Sequence, residues 1–233
     1  MRRSRWHHGA VTNYILWDVD GTLVRNGKDA GNLYHEAIEL AVGRAIAVRL
    51  PNTHGKTDGQ ILRESLAVHG LPEELHASAS RHLDELSRLR HESGNHRELC
   101  PGVLEALAAA TAAGWTNALL TGNSAKRSRF KVTGAGIDPE VFDWEHSYFG
   151  HETPVRSDLT IAARQDHPSD RLLIVGDTPG DDIAATAAGI PFFAVATGVY
   201  PAEDLAESNA IAVVDDLDSG LPSLLKALSE LFH

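Results

Sequence analysis

The chain has 233 residues and a net charge of −11 at pH 7, with 21 Lys and Arg against 32 Asp and Glu. This length suits one large domain or a core with one inserted segment, and the charge argues against nucleic-acid or anionic-membrane partners. Cys100 is the single cysteine, so a disulfide within the chain is excluded and a reducing, cytoplasmic compartment is expected. Residues 1–12 are basic and lack an apolar segment, so we expect a disordered arm rather than a secretory signal.

Apolar segments recur along the chain and predict short buried strands. They cover Tyr14–Asp18, Thr116–Thr121, Arg171–Asp177, Pro191–Thr197 and, with a weaker pattern, Ala210–Asp216. Continuous apolar runs of this length suit a parallel sheet that is covered on both faces. Helices are predicted between strands over residues 102–114 and 181–189. The resulting order predicts an α/β fold with a Rossmann-like, doubly wound parallel sheet.

The segment from residue 25 to residue 95 breaks this alternation, because no strand pattern appears in it. Amphipathic helical patterns cover residues 32–46, 58–70 and 72–93. We therefore predict a core made of residues 1–24 and 96–233, with an all-helical subdomain of residues 25–95 inserted directly after the first strand.

Polar side chains follow the predicted strands at their carboxyl ends, where open parallel sheets bind ligands. These residues are Asp18 and Asp20 after the first strand, Thr121, Gly122 and Asn123 after the second, Asp177, Asp181 and Asp182 after the third, and Arg156 ahead of a helix. So many acids cannot all stay ionised without a cation, and oxygen ligands suit Mg²⁺. The alternative, that Asp18 and Asp20 only shape a turn, leaves the other strand ends unexplained.

Four motifs stand in order along the chain: D-V-D-G-T-L at 18–23, L-L-T-G-N at 119–123, Arg156, and G-D-T-P-G-D-D at 176–182. Together they resemble the motifs of the haloacid dehalogenase superfamily, and the resemblance covers nearly the whole chain. The helical segment is similar to the C1 cap of subfamily I. The stretch G-K-T-D-G-Q-I-L at 55–62 resembles a cap loop of phosphoglycolate-phosphatase-like members.

The resemblance implies roles for the two acids of the first motif. Asp18 would be the nucleophile that attacks phosphorus and becomes an aspartyl phosphate. Asp20 would protonate the leaving alcohol and then activate the hydrolytic water, and its carbonyl would be a metal ligand. Because side chains two apart on a strand share a face, both carboxylates can reach one phosphoryl group.

The resemblance also implies the rest of the site. Gly21 would permit the tight turn and lie against substrate, while Thr121, Gly122 and Asn123 would bind the phosphoryl oxygens. Asp177 and Asp181 would hold Mg²⁺ together with Asp18 and Asp20. Asp182 is interpreted as a helix-start residue, although an exchange of roles with Asp181 stays open. Lys56, in the cap loop, either contacts substrate or is an exposed loop lysine.

The third motif departs from the commonest family pattern, which has Lys where this chain has Arg156. Either cation can neutralise charge on the phosphoryl oxygens. Lys126 and Lys131 follow the second motif and are rival cations. We interpret Lys131 as a helix-surface residue.

Other reactive residue types are interpreted as structural. His91 and His96 lack the i, i+4 spacing that two metal ligands on one helical face need, so they are expected to be solvated. Cys100 is expected to be a buried thiol.

The function implied by the resemblance is a Mg²⁺-dependent phosphatase acting on a small phosphomonoester, phosphoglycolate-like or a sugar phosphate. A phosphomutase, a 2-haloacid dehalogenase and a catalytically silent regulatory protein are the alternatives. The expected partner is a small phosphorylated metabolite, and the chain is expected to be a monomer or homodimer.

Overall fold

The computed structural model describes residues 11–27 and 30–231. These residues form a six-stranded sheet in which every pair of neighbours is parallel, in the order β3-β2-β1-β4-β5-β6. The strands are β1 (Asn13–Trp17), β2 (Thr116–Thr121), β3 (Tyr148–Phe149), β4 (Arg171–Gly176), β5 (Phe192–Val195) and β6 (Ala212–Val214). The predicted α/β class with a doubly wound parallel sheet is confirmed.

α-Helices make up most of the remaining regular structure of the described residues. They are α1 (Ala30–Val42), α2 (Asp58–Val68), α3 (His76–Glu92), α4 (Val103–Ala112), α5 (Ala125–Gly134), α6 (Arg156–Asp166), α7 (Pro179–Ala188), α8 (Ala202–Leu205) and α9 (Leu217–Glu230). Helix α7 begins two residues before the predicted start. Thr178 caps it by accepting a hydrogen bond from the Asp181 amide, and Pro179 occupies its first turn.

Strand β1 lies at the centre of the sheet and alternates between two apolar cores. Ile15 and Trp17 pack on the face covered by α4 and α9, while Tyr14 and Leu16 pack on the face covered by α6 and α7. Every residue of β1 is buried. Polar residues that directly follow β1 are therefore held in the interior, at the carboxyl edge of the sheet.

Helices α1, α2 and α3, with their connections, form a segment that we call the insert. They pack around an apolar cluster of their own, distinct from the two cores of the sheet and made of Leu33, Tyr34, Ala37, Ile38, Ile61, Leu62, Leu66, Ala79 and Leu83. Beside the sheet, Val24 forms an antiparallel bridge with Leu99, and the Arg25 amide donates to the Glu98 carbonyl at 2.8 Å. The chain segments that lead into and out of the insert thus lie side by side.

Two further expectations concern the chain ends and the thiol. The predicted disordered arm falls mostly on residues 1–10, which lie outside the described residues. Cys100 is buried, and burial raises the pKa of its thiol to about 11, as expected of a structural thiol. In the part of the chain that the structure describes, no helix is both long and apolar enough to cross a membrane.

Candidate active site

Asp18 directly follows β1, and its amide extends the ladder to β4 by donating to the Val175 carbonyl at 2.9 Å. The chain then turns at Gly21, whose φ of 85° is in the left-handed region. A Cβ atom at this position would lie 2.2 Å from Asp177 Oδ2. Glycine is therefore required here both by the backbone and by the close approach of the Asp177 carboxylate.

Arg156, the first residue of α6, holds two buried acids together. Its Nη2 lies 2.8 Å from Asp18 Oδ1 and 2.6 Å from Asp181 Oδ1. Burial raises the pKa of Asp18 to about 6, although the Arg156 guanidinium opposes this shift. Burial likewise disfavours the charge of Arg156, but Asp181 and Asp18 outweigh it and raise the pKa of the guanidinium. The structure thus brings the predicted third-motif cation against the first-motif acid.

Asp18, Asp177 and Asp181 form a buried carboxylate cluster whose ligand atoms lie within 4.8 Å of one another. Among the residues that the structure describes, none donates a hydrogen bond to Asp177 Oδ2, although this atom is buried. Burial, together with Asp18 and Asp181, raises the pKa of Asp177 well above its ordinary value. One guanidinium does not neutralise three carboxylates, so this all-oxygen cluster fits a hard divalent cation such as Mg²⁺.

The neighbouring acids of the fourth motif face different ways. Asp181 lies in the carboxylate cluster and also accepts hydrogen bonds from the amide and hydroxyl of Thr178. Asp182 instead accepts from the Asn209 amide at 3.1 Å. Between the two acids that the sequence left exchangeable, Asp181 is the one in the cluster.

Asp20 faces a different partner from Asp18, and this corrects one expectation. Lys131 Nζ lies 2.5 Å from Asp20 Oδ2 and 2.7 Å from Asn123 Oδ1, and Asn123 Nδ2 donates to the same Asp20 oxygen at 2.8 Å. The interpretation of Lys131 as a helix-surface residue is wrong, because its side chain is only 16% exposed. Burial would raise the pKa of Asp20, but Lys131 outweighs it and lowers this pKa to about 2.

Three residues at the carboxyl end of β2, namely Thr121, Gly122 and Asn123, line the core side of the site. Thr121 Oγ1 is buried and accepts a hydrogen bond from Asn123 Nδ2 at 2.8 Å. Gly122 lies directly under the insert, since a Cβ atom there would be 2.3 Å from the Lys56 carbonyl. The Asp58 amide also donates to the Gly122 carbonyl at 2.8 Å. The insert therefore closes on the backbone of the second motif.

The two other candidate lysines are placed differently from Lys131. Lys56 lines the cavity described below, but its Nζ is paired with Glu64 Oε2 at 2.5 Å within the insert. Lys126 is 75% exposed and lies 3.8 Å from Asp84.

A buried polar junction between the insert and the core was not predicted from the sequence. Arg127, 3% exposed, forms an ion pair with Asp58. Tyr34 donates to Asp58 Oδ1 at 2.6 Å, and the Ser124 amide donates to Asp58 Oδ2 at 3.1 Å. The signal for it was Asp58 inside the G-K-T-D-G-Q-I-L stretch, which was assigned to a cap loop and to the start of a predicted helix but was given no partner in the core.

A cavity of about 110 Å³ lies between the carboxyl ends of the strands and the insert. Its core side is lined by the residues described above, namely Asp18, Asp20, Thr121, Gly122, Asn123, Lys131, Arg156 and Asp177. Its insert side is lined by residues that include Lys56, Asp58, Arg90, His91 and, beyond α3, Arg97. A ligand held against the acids would thus be enclosed by the insert.

Comparisons with known proteins agree with this architecture. A family model described as HAD-hydrolase-like matches residues 155–219. The phosphoglycolate phosphatase of Rhodospirillum rubrum is 28% identical over 225 residues, which cover 88% of each chain. A hydrolase from Pseudomonas syringae is 18% identical with a TM-score of 0.66, covering 92% of this chain and 99% of its own. CbbY from Rhodobacter sphaeroides, solved in complex with phosphate, is 21% identical with a TM-score of 0.63, covering 90% of this chain and 96% of its own.

Proposed function

We propose that this chain, which is a haloacid dehalogenase-like hydrolase similar to phosphoglycolate phosphatases, hydrolyses small phosphomonoesters through a covalent aspartyl phosphate. The observation that carries the proposal is the buried carboxylate cluster of Asp18, Asp177 and Asp181 with Arg156 against it. Such a cluster is unstable as three bare anions, and it suits a site that receives a divalent cation and a phosphoryl group.

In the first step, an oxygen of Asp18 forms a bond to phosphorus while the bond from phosphorus to the ester oxygen breaks. Asp20 is ionised in the substrate-free site, so it first takes a proton from a substrate that binds as the monoanion. It then gives this proton to the departing alkoxide, and the product leaves as an alcohol. In the second step, water attacks the phosphorus of the aspartyl phosphate and Asp20 takes a proton from that water. Inorganic phosphate leaves with this proton, and the carboxylates of Asp18 and Asp20 are restored.

The surrounding residues orient the phosphoryl group and balance its charge. Arg156 is suited to the charge that develops on the equatorial oxygens, because its guanidinium already contacts Asp18 Oδ1. Thr121 and Asn123 carry donors beside Asp20, which supports a role in holding the phosphoryl oxygens. Gly21 lets the backbone approach the Asp177 carboxylate, and Gly122 lets the Lys56 carbonyl of the insert approach, so both glycines shape the wall that faces the proposed substrate.

The proposed cofactor is Mg²⁺, held by the carboxylates of Asp18, Asp177 and Asp181 and by the Asp20 carbonyl. When bound, it would neutralise phosphoryl charge and help to align the phosphorus for in-line attack. The unpartnered Asp177 Oδ2 supports this assignment, because a buried carboxylate oxygen without a donor needs another positive partner.

A panel of phosphomonoesters with Mg²⁺ tests the proposal. The panel includes 2-phosphoglycolate, several sugar phosphates and a generic aryl phosphate, and released inorganic phosphate is measured. Turnover of at least one member is expected. No release from any of them would favour a silent binding protein instead. Conversion of a sugar phosphate to its isomer only when a bisphosphate is added would favour a phosphomutase, and release of halide from a 2-haloacid would favour a dehalogenase.

A further inference from the structure

Two arginines that line the cavity, Arg90 and Arg97, have no role in the chemistry described above. Helix α3 ends at Glu92, and Gly94 then reverses the chain with a φ of 76°. The Asn95 amide closes this turn by donating to the Arg90 carbonyl at 3.0 Å. As a result Arg90, in the last turn of α3, and Arg97, on the returning chain, both line the cavity.

Arg97 is fixed from two directions. Its chain segment is tied to the start of the insert by the Arg25 amide, which donates to the Glu98 carbonyl at 2.8 Å. Its guanidinium lies over Gly27, where a Cβ atom would be 1.5 Å from Arg97 Nη1. Gly27 also lines the cavity. Because residue 27 has no side chain, the Arg97 guanidinium can lie beside it at the cavity wall.

These two guanidinium groups differ from the other lysine and arginine side chains of the cavity. Arg127, Arg156, Lys56 and Lys131 are each paired with a carboxylate. Within residues 11–27 and 30–231, Arg90 and Arg97 have neither an ion pair nor a side-chain hydrogen bond. In a chain with a net charge of −11, two unpaired arginines beside one cavity create a local positive field against the overall sign.

We propose that Arg90 and Arg97 form an anion subsite, so that the enzyme prefers phosphomonoesters that carry a second anionic group. The inference rests on the proposed phosphatase function. A guanidinium presents a planar pair of donors that matches a carboxylate or a phosphate. The phosphoryl group that is transferred lies against Asp18, and the second anion lies against Arg90 and Arg97. Substrates without that anion leave both arginines unpaired.

Matched substrate pairs test this subsite. The first pair is 2-phosphoglycolate and its carboxamide, and the second is propanediol bisphosphate and propanediol monophosphate. The wild type is expected to prefer the member with the extra anion by at least tenfold in kcat/KM. If the wild type discriminates more strongly within the first pair, a carboxylate is the better ligand of the subsite; if it does so within the second pair, a phosphate is.

The double variant Arg90→Gln/Arg97→Gln should lose most of that preference, while kcat/KM for the member of each pair that lacks the second anion stays within twofold. Arg90→Lys and Arg97→Lys should keep part of it, because the charge survives. Arg81→Gln is the matched control, since Arg81 is exposed on the same helix α3 and does not line the cavity. The subsite would be refuted if the double variant lost kcat/KM equally for both members of a pair. It would also be refuted if the wild type showed no preference for the member with the second anion.

A binding measurement separates this inference from the phosphatase proposal. Calorimetry compares 3-phosphonopropionate with propylphosphonate, neither of which can be hydrolysed at phosphorus. Tighter binding of the carboxylate compound, lost in the double variant, supports the subsite even if no ester is turned over. Equal binding of the two compounds to the wild type contradicts it, whatever the activity.

Discussion

Lys131 Nζ lies 2.5 Å from Asp20 Oδ2 and 2.7 Å from Asn123 Oδ1, so one ammonium ties the helix α5 to two motif residues. Lys131→Met should lower kcat/KM by roughly tenfold or more. General acid–base catalysis contributes a rate factor of ~10²–10⁴, and this factor depends on the position of the Asp20 carboxyl group, which Lys131 holds. Steady-state kinetics should show a larger loss for an alkyl phosphate than for an aryl phosphate, whose leaving group needs less protonation.

The matched control for this prediction is Lys126→Met, on the same helix but 75% exposed. Circular dichroism of both variants checks that they are folded. If the two variants had the same kinetics, the contact between Lys131 and Asp20 would have no part in catalysis.

Arg156 is expected to stabilise phosphoryl charge. Arg156→Ala should lower kcat/KM by about a hundredfold or more, the scale of losing a preorganised electrostatic contact. Arg156→Lys should keep part of the activity, since charge is retained but the planar geometry is lost. Near-normal kinetics of Arg156→Ala together with a severe loss in Lys131→Met would assign the third-motif role to Lys131.

Asp18 is expected to be the nucleophile. Asp18→Asn should abolish turnover, because a neutral amide cannot form the aspartyl phosphate, whereas Asp204→Asn, at an exposed position, should be fully active. In the wild type, a fluoride mimic of the phosphoryl group should bind against the Asp18 carboxylate. Activity of Asp18→Asn near that of the wild type would refute the mechanism.

The carboxylate cluster is expected to require Mg²⁺. EDTA should remove activity and Mg²⁺ restore it, while Ca²⁺, with its larger and looser shell, should inhibit. Mg²⁺ should also raise the melting temperature of the wild type by mass action, and Asp177→Asn should lose this rise. Asp182→Asn should keep it, because Asp182 faces Asn209 instead of the cluster. Full activity in the presence of EDTA would exclude a requirement for Mg²⁺.

The raised pKa of Asp18 predicts a pH-dependent stability of the metal-free protein. Burial raises the pKa of this carboxyl from 3.8 to about 6, so its ionisation disfavours the folded state as the pH rises through that interval. In EDTA at pH 8, Asp18→Asn should therefore melt roughly 6–12 °C above the wild type. The difference should vanish below about pH 3, where the carboxyl is protonated in both the folded and the unfolded state. A series of thermal melts from pH 3 to pH 8 measures the difference, and a difference that does not change with pH would contradict the assigned cause.

The central strands could be predicted because both faces of the sheet are covered. Each residue from Tyr14 to Trp17 must be apolar to fill one core or the other, and this leaves a continuous run in the sequence. Strand β3 has two half-buried residues, Tyr148 and Phe149. Two residues are too few to show the alternation of apolar and polar side chains that marks a strand. The presence of β3 at the edge of the sheet was therefore not predictable from the sequence.

The position of Lys131 could not be predicted because α5 reverses the usual relation between polarity and burial. Its buried residues are Arg127, Ser128 and Val132, and Lys131 follows Arg127 by four residues, on the same side of the helix. A charged stripe normally marks the solvent face. Here that stripe faces Asp58 of the insert and Asp20 of the core, and only the folded chain brings those acids near.

The separate apolar cluster of the insert has a consequence for motion during turnover. The contacts of Asp58 with Ser124 and Arg127 are polar, so water could replace each of them if the insert were displaced from the core. The three apolar clusters would stay covered in such a displacement, and the paired chains near Val24 and Leu99 would still join the insert to the sheet. Exposure of a large apolar surface, which promotes aggregation, would thus be avoided.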